Sequence, residues 1–155
     1  KELGLKQYFL KTDDANWHEN LKKLLKRLKV EGIVAGAVAS EYQRRRIDKL
    51  GEELGIPTYA PLWHKEDELM NEVLQYFETY ITAVSAEGLD EKWLGEKFEK
   101  LARAKIKNIH PFLEGGEGET YVANAPFFKK RIKIKGWKKK WDGIRGETEM
   151  VAKLG

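Results

Sequence analysis

The chain has 155 residues, of which 41% are hydrophobic and 35% charged, with a net charge of +4. That suits one domain or two small lobes, and the charge alone does not point to nucleic acid. The absence of cysteine excludes disulfides and thiolate metal sites, and no apolar run approaches the roughly 20 residues needed to span a bilayer. With no signal-peptide pattern at its start, the chain is expected in the cytoplasm.

Residues 1–10 and residues 52–59 share a pattern of helix end, glycine and then strand. Residue 1 is therefore expected in the last turn of a helix, and the chain is read as a piece of a longer protein. Strands are predicted at Leu5–Leu10, Ile33–Val38, Ile56–Ala60 and Tyr80–Val84. Between them, Trp17, Leu21, Leu24, Leu25 and Leu28 follow one helix face. Ile47, Leu50 and Leu54 mark a second helix, and Leu69, Met70, Val73, Leu74 and Phe77 a third. Alternating strands and amphipathic helices imply a parallel sheet with helices packed on it. After residue 86 the rhythm changes. One helix is predicted over Asp90–Lys105, then strands at Thr120–Ala123, Phe127–Lys135, Trp137–Trp141 and Thr148–Leu154, the last two separated by a turn at Asp142-Gly143. The expected fold class is α/β: a partial Rossmann-like domain over 1–86 and a smaller α+β lobe over 87–155.

Three segments carry candidate chemistry. In a parallel α/β sheet, ligands bind beyond the carboxyl ends of the strands. Ser40-Glu-Tyr-Gln-Arg-Arg-Arg46 follows a buried strand, and a helix starting there offers N–H groups to an anion. Arg44 and Arg46 flank that position, and Gln43 shares the face of Ile47. A capping box and a solvated basic face explain the same residues, and spacing alone favours that reading. Ser85, Gly88 and Asp90 follow the next strand end, where turn and capping roles serve as well as substrate contact. Glu114-Gly-Gly-Glu-Gly-Glu-Thr120 is either a solvated loop or a ligand-facing one. Its glycines permit close backbone approach, and its carboxylates suit magnesium or an ammonium group. The basic run Lys129–Lys140 reads as an edge strand with lysines facing water. No zinc spacing, nucleophile signature or Walker-type loop is present.

Residues 32–47, residues 84–95 and the run Glu114–Thr120 followed by Ala125-Pro-Phe-Phe128 together resemble the diphthine–ammonia ligase family, N-type ATP pyrophosphatases of the adenine nucleotide alpha hydrolase superfamily. Trp141-Asp-Gly143 also fits. The resemblance implies an ATP-dependent ligase that activates the carboxylate of diphthine on translation elongation factor two as an acyl-adenylate, which ammonia converts to the amide. It implies ATP, with magnesium, as cofactor. It places Ser40, Gln43, Arg44 and Arg46 on the nucleotide side, and Glu114, Glu117, Glu119 and Thr120 in the catalytic set on the substrate or ammonia side. Ser85, Gly88, Asp90, Gly115 and Gly116 are implied as substrate contacts. No residue is assigned to metal, no nucleic-acid or membrane partner is expected, and a homo-oligomer is left open.

Two features depart from the family pattern. The pyrophosphate loop Ser-Gly-Gly-Lys-Asp-Ser is missing, so this chain alone is expected to bind ATP poorly and not to turn over. Leu113 stands where the family usually has glycine, and Gly118 where it has an aromatic residue. A more mobile loop without a stacking contact is expected. The alternative to a ligase is a non-catalytic module on the same scaffold, binding a nucleotide-containing ligand, an RNA or a translation factor.

Overall fold

The computed structural model describes residues 3–154. The helix end expected at residue 1 lies outside these residues. The fold is mixed α/β, and the chain separates into two compact units, Lys6–Lys65 and Glu66–Gly155, the second also taking in the first five residues. The division falls at residue 65, not at the expected residue 86. The reason is the pairing of the strand at 78–84, which belongs wholly to the later sheet.

The unit Lys6–Lys65 holds α1 (Trp17–Leu28), β1 (Ile33–Val34), α2 (Glu41–Leu54) and β2 (Thr58–Tyr59). The strands are parallel, with Ile33 opposite Thr58 and Val34 opposite Tyr59. This is the expected βα rhythm, but both strands are shorter than predicted. The run Leu5–Leu10 is not a strand: it is exposed and has no ladder partner, since β1 pairs with β2 alone in its sheet. Ser40 caps α2, its Oγ accepting from the Gln43 N–H at 3.4 Å, and Gly55 ends it in the left-handed region. Leu50 is fully buried, with Ala37 and Val38 the other buried apolar residues of this unit. A salt-bridge cluster joins α1 to α2: Glu53 accepts from Lys22 Nζ at 2.6 Å and lies 3.0 Å from His18 Nε2.

The unit Glu66–Gly155 holds α3 (Glu66–Tyr76), β3 (Glu78–Val84), a 3-10 turn at Glu91–Trp93, α4 (Phe98–Ala104), β4 (Gly118–Asn124), β5 (Ile132–Trp141) and β6 (Gly146–Leu154). The sheet order is β4-β3-β6-β5, antiparallel throughout. The expected parallel placement of Tyr80–Val84 is thus overturned, because its neighbours are strands that follow it in sequence. Ile81, Val84, Leu89, Trp93, Leu94, Leu101 and Leu113 form the core, with Trp141 packed against it.

The single helix expected over Asp90–Lys105 is broken in two. Gly95 has φ +78, its N–H donates to Ile81 O at 2.8 Å, and a Cβ there would lie 2.7 Å from Trp137 Cδ1. Pairing with β3 therefore replaces helix continuation, while Trp93, Leu94, Phe98 and Leu101 still face inward as expected. The two strands predicted around Gly136 are one, β5, with an irregularity between Ile134 and Gly136. It is an edge strand in which exposed Lys133 and Lys135 alternate with half-buried isoleucines. The Asp142-Gly143 turn joins it to β6, with Asp142 Oδ1 accepting from Ile144 and Arg145 N–H at 2.8 and 2.7 Å. Among the described residues no helix is long and apolar enough to cross a membrane.

Candidate functional site

The end of β1 opens into a cavity of about 350 Å³ lined by Trp17, Ala35, Gly36, Ala37, Gln43 and Arg46, among others. A Cβ at Gly36 would meet nothing within 4 Å, so the backbone there is open to approach. The three arginines differ sharply. Arg46 lines the cavity with its guanidinium 3.7 Å above the Trp17 ring, and Nη1 donates to Tyr42 OH at 2.7 Å. Arg44 instead lies 4.7 Å over Trp63 and 3.5 Å from Asp48 Oδ2. Arg45 is exposed and paired with Glu41 at 3.2 Å. Gln43 lies on the cavity as its spacing with Ile47 predicted. An open glycine, the N-terminal turn of α2 and a guanidinium lying over an indole ring come together at this cavity. Trp17 was read from sequence only as part of a helix face. Its partner Arg46 lies far from it in the chain, so no local signal marked the pair.

The second candidate region lies at the end of β3. Ser85 Oγ donates to Gly116 O at 2.6 Å, and the Ser85 N–H donates to Glu117 O at 2.8 Å. Two segments that were far apart in sequence are thereby joined. The loop itself is two consecutive turns, with Leu113 N–H bonded to His110 O at 2.8 Å and Gly116 N–H to Leu113 O at 3.2 Å. Leu113 is buried yet has φ +59, the left-handed conformation that a glycine would adopt freely. Gly118 belongs to a strand rather than to the loop. It is the first residue of β4, opposite Val84, and a Cβ there would lie 2.5 Å from Ala83 O.

The loop carboxylates are placed differently from one another. Glu117 Oε1 accepts from the His110 N–H at 2.9 Å, while Oε2 is buried without a hydrogen-bond partner. Such an orphan acceptor is costly and marks a position where a hydrogen-bond donor is wanted. Glu114 is half-buried, whereas Glu119 and Thr120 are exposed on β4 opposite Ala83 and Ile81. Gly115 and Gly116 are exposed. Gly88 adopts φ +91 in its turn, and Asp90 Oδ1 accepts from the Lys92 N–H at 3.1 Å, so both have structural roles. Ser85 also lines a cavity of about 420 Å³ with Lys140, Trp141, Asp142 and Arg145. Lys140 and Arg145 were not singled out from sequence, because a lysine in a basic strand and an arginine in a turn carry no distinctive spacing. The N–H groups of Arg145 and then Ile144 hold the Asp142 carboxyl below its ordinary value.

Among the described residues, one trio of His and carboxylate groups is spaced to hold a metal ion: His18, Glu19 and Glu53. The Lys22 ammonium already fills that cluster, 2.6 Å from Glu53 and 3.7 Å from Glu19. Among the described residues the Glu114–Thr120 carboxylates form no such trio.

Comparison with known proteins agrees with this division of the chain. Residues 2–58 match the model of the diphthamide synthase N-terminal domain, and residues 65–153 match that of the diphthamide synthase C-terminal domain. The diphthine–ammonia ligase of Bos taurus is 37% identical over 126 residues, covering 74% of this chain and 47% of that protein. The diphthine–ammonia ligase of Homo sapiens is 36% identical over 126 residues, with 74% and 47% covered. That of Schizosaccharomyces pombe is 37% identical over 126 residues, covering 74% of this chain and 21% of that protein. The chain thus spans about half the length, or less, of these relatives. With both domain models matched in order along most of its length, the chain belongs to the diphthamide synthase family.

Proposed function

We propose that this chain forms part of an ATP-dependent carbon–nitrogen ligase that converts diphthine on translation elongation factor two, in the cytoplasm, to its amide. The observation that carries the reading is the double hydrogen bond from Ser85 to Gly116 and Glu117. It joins the strand-end segment and the acidic glycine loop, two of the segments on which the family resemblance rests. The names of the relatives support the same reaction.

ATP would act as cosubstrate. A diphthine carboxylate oxygen bonds to the α-phosphorus as pyrophosphate leaves, and ammonia nitrogen then displaces AMP at the acyl carbon with loss of a proton. The residues of the chain bind and orient. Ser40 fixes the start of α2, whose N–H groups and Gln43 take the nucleotide side. Arg46, held over the Trp17 ring, offers its guanidinium there. Arg44 supplies positive charge from beside Trp63. On the acyl side, Ser85, Gly88 and Asp90 hold the strand-end turn, and Gly115 and Gly116 allow substrate close to the backbone. Glu114, Glu119 and Thr120 contact ammonia or the acyl group, and Glu117 offers its unpartnered oxygen to the ammonium. Magnesium would arrive with the nucleotide phosphates rather than on a protein site.

The test is an assay on the full-length protein with ATP, ammonium and diphthine-bearing elongation factor. AMP and amide are expected in equal amounts, and Ser85→Ala should lower kcat on the order of 10-fold by loosening the loop. Release of ADP, or amide formation unaffected by Ser85→Ala, would overturn the reading.

A further inference from the structure

His110 has no part in the reading above, yet the loop converges on it. Its Nδ1 accepts from the Phe112 N–H at 3.2 Å and from the Glu114 N–H at 3.4 Å. Its own N–H donates to Glu117 Oε1 at 2.9 Å, and its carbonyl accepts from the Leu113 N–H at 2.8 Å. An imidazolium has no acceptor, so two N–H groups aimed at Nδ1 require a neutral ring with its proton on Nε2. The two accepted bonds bracket Leu113, which sits at φ +59. A leucine persists in that conformation only where its surroundings over-determine it. The ring is half-buried and lines a cavity of about 390 Å³, to which α3 brings Glu66 and Asp67 and the end of α4 brings Lys105.

We propose that His110 is the positioning residue of the Glu114–Thr120 loop: its neutral imidazole holds the left-handed turn at Leu113 and sets where the loop carboxylates point. The link to catalysis rests on the ligase reading; the tautomer and the turn do not.

The experiment compares His110→Asn with His110→Ala in the full-length protein. Asparagine places Oδ1 two bonds from Cβ, as Nδ1 is, and readily accepts from the N–H two residues on. It keeps the acceptor and discards the ring. For AMP release with diphthine-bearing substrate, His110→Ala should lower kcat on the order of 10–100-fold with KM for ATP unchanged. His110→Asn should stay within about threefold of the parent protein. Nitrogen-15 NMR of the unmodified protein should place the ring proton on Nε2, a readout that survives even if His110→Ala does not fold. A proton on Nδ1, or an asparagine variant as impaired as alanine, would overturn the proposal. If the tautomer is as expected but the parent protein releases no AMP, the ligase reading fails and the role of His110 in the turn stands.

Discussion

Leu113 is a position where packing and backbone conformation oppose each other. Its side chain is 4% exposed and sits in the core with Ile81, Val84 and Leu94. Its φ of +59 costs a non-glycine residue roughly 1–2 kcal/mol. Truncating a buried leucine to alanine costs about 2–5 kcal/mol. Leu113→Ala loses that packing and keeps the strain, so the full loss is expected. Leu113→Gly also removes Cβ, at about 0.8 kcal/mol, but relieves the strain. The two variants should therefore lie within about 1 kcal/mol of each other, both about 2–4 kcal/mol below the parent. At an ordinary helical position glycine would fall well below alanine. The assay is urea unfolding followed by tryptophan fluorescence, since Trp93 and Trp141 belong to the same cluster. The midpoint should fall by on the order of 1 M for both variants. A glycine variant as stable as the parent would show that strain outweighs packing. A glycine variant more than about 1.5 kcal/mol below alanine would show that the turn is not strained at all.

Gly118→Ala places a Cβ 2.5 Å from Ala83 O, so β3 and β4 must part locally; a loss of about 1–3 kcal/mol is expected in thermal unfolding. Arg46→Lys keeps the charge but loses the guanidinium over Trp17; nucleotide affinity, measured by calorimetry on the full-length protein, should fall about three- to fivefold. Glu53 is held from an ordinary 4.5 down to about 2, first by the hydrogen bond from Lys22 and then by His18. A depressed carboxylate stabilises the fold above its unfolded value, and that contribution is lost as pH falls from about 4.5 to about 2. Lys22→Met should flatten the fall in melting temperature across that window; an unchanged slope would show that the pair contributes nothing.

Much of the local structure was legible in the chain. The faces of α1 and α2 follow from leucine and isoleucine spacing, and Ser40 and Gly55 mark the ends of α2. Asp142-Gly143 marks the β5–β6 turn, and the glycine-rich run identified a backbone that departs from helix and ordinary strand. The order of the strands was not legible. Tyr80–Val84 reads as apolar and β-branched whether its neighbours are parallel or antiparallel. Gly95 breaks a helix pattern that is otherwise sound, because Trp137 and Ile81 claim its space and its N–H. Around the β1 cavity, Gln43 lies where its spacing with Ile47 put it, Arg46 was one of two flanking arginines that spacing did not separate, and nothing local marked Trp17 beneath it. His110 carries no distinctive spacing, and its bonds to Phe112 and Glu114 depend on a turn that leucine at 113 does not announce.

Read by itself, the chain determined where α2 begins and ends, which helix faces are apolar, and through three ordered segments, which family it resembles. Those features depend on residues a few positions apart, whose geometry is set by short-range sterics and hydrogen bonding. The tertiary structure alone decided that Ser85 grips Gly116 and Glu117, that Arg46 rather than Arg44 lines the β1 cavity, and that one oxygen of Glu117 is left without a donor. Such pairings depend on the path of the backbone between distant residues, and on which groups that path shuts away from water.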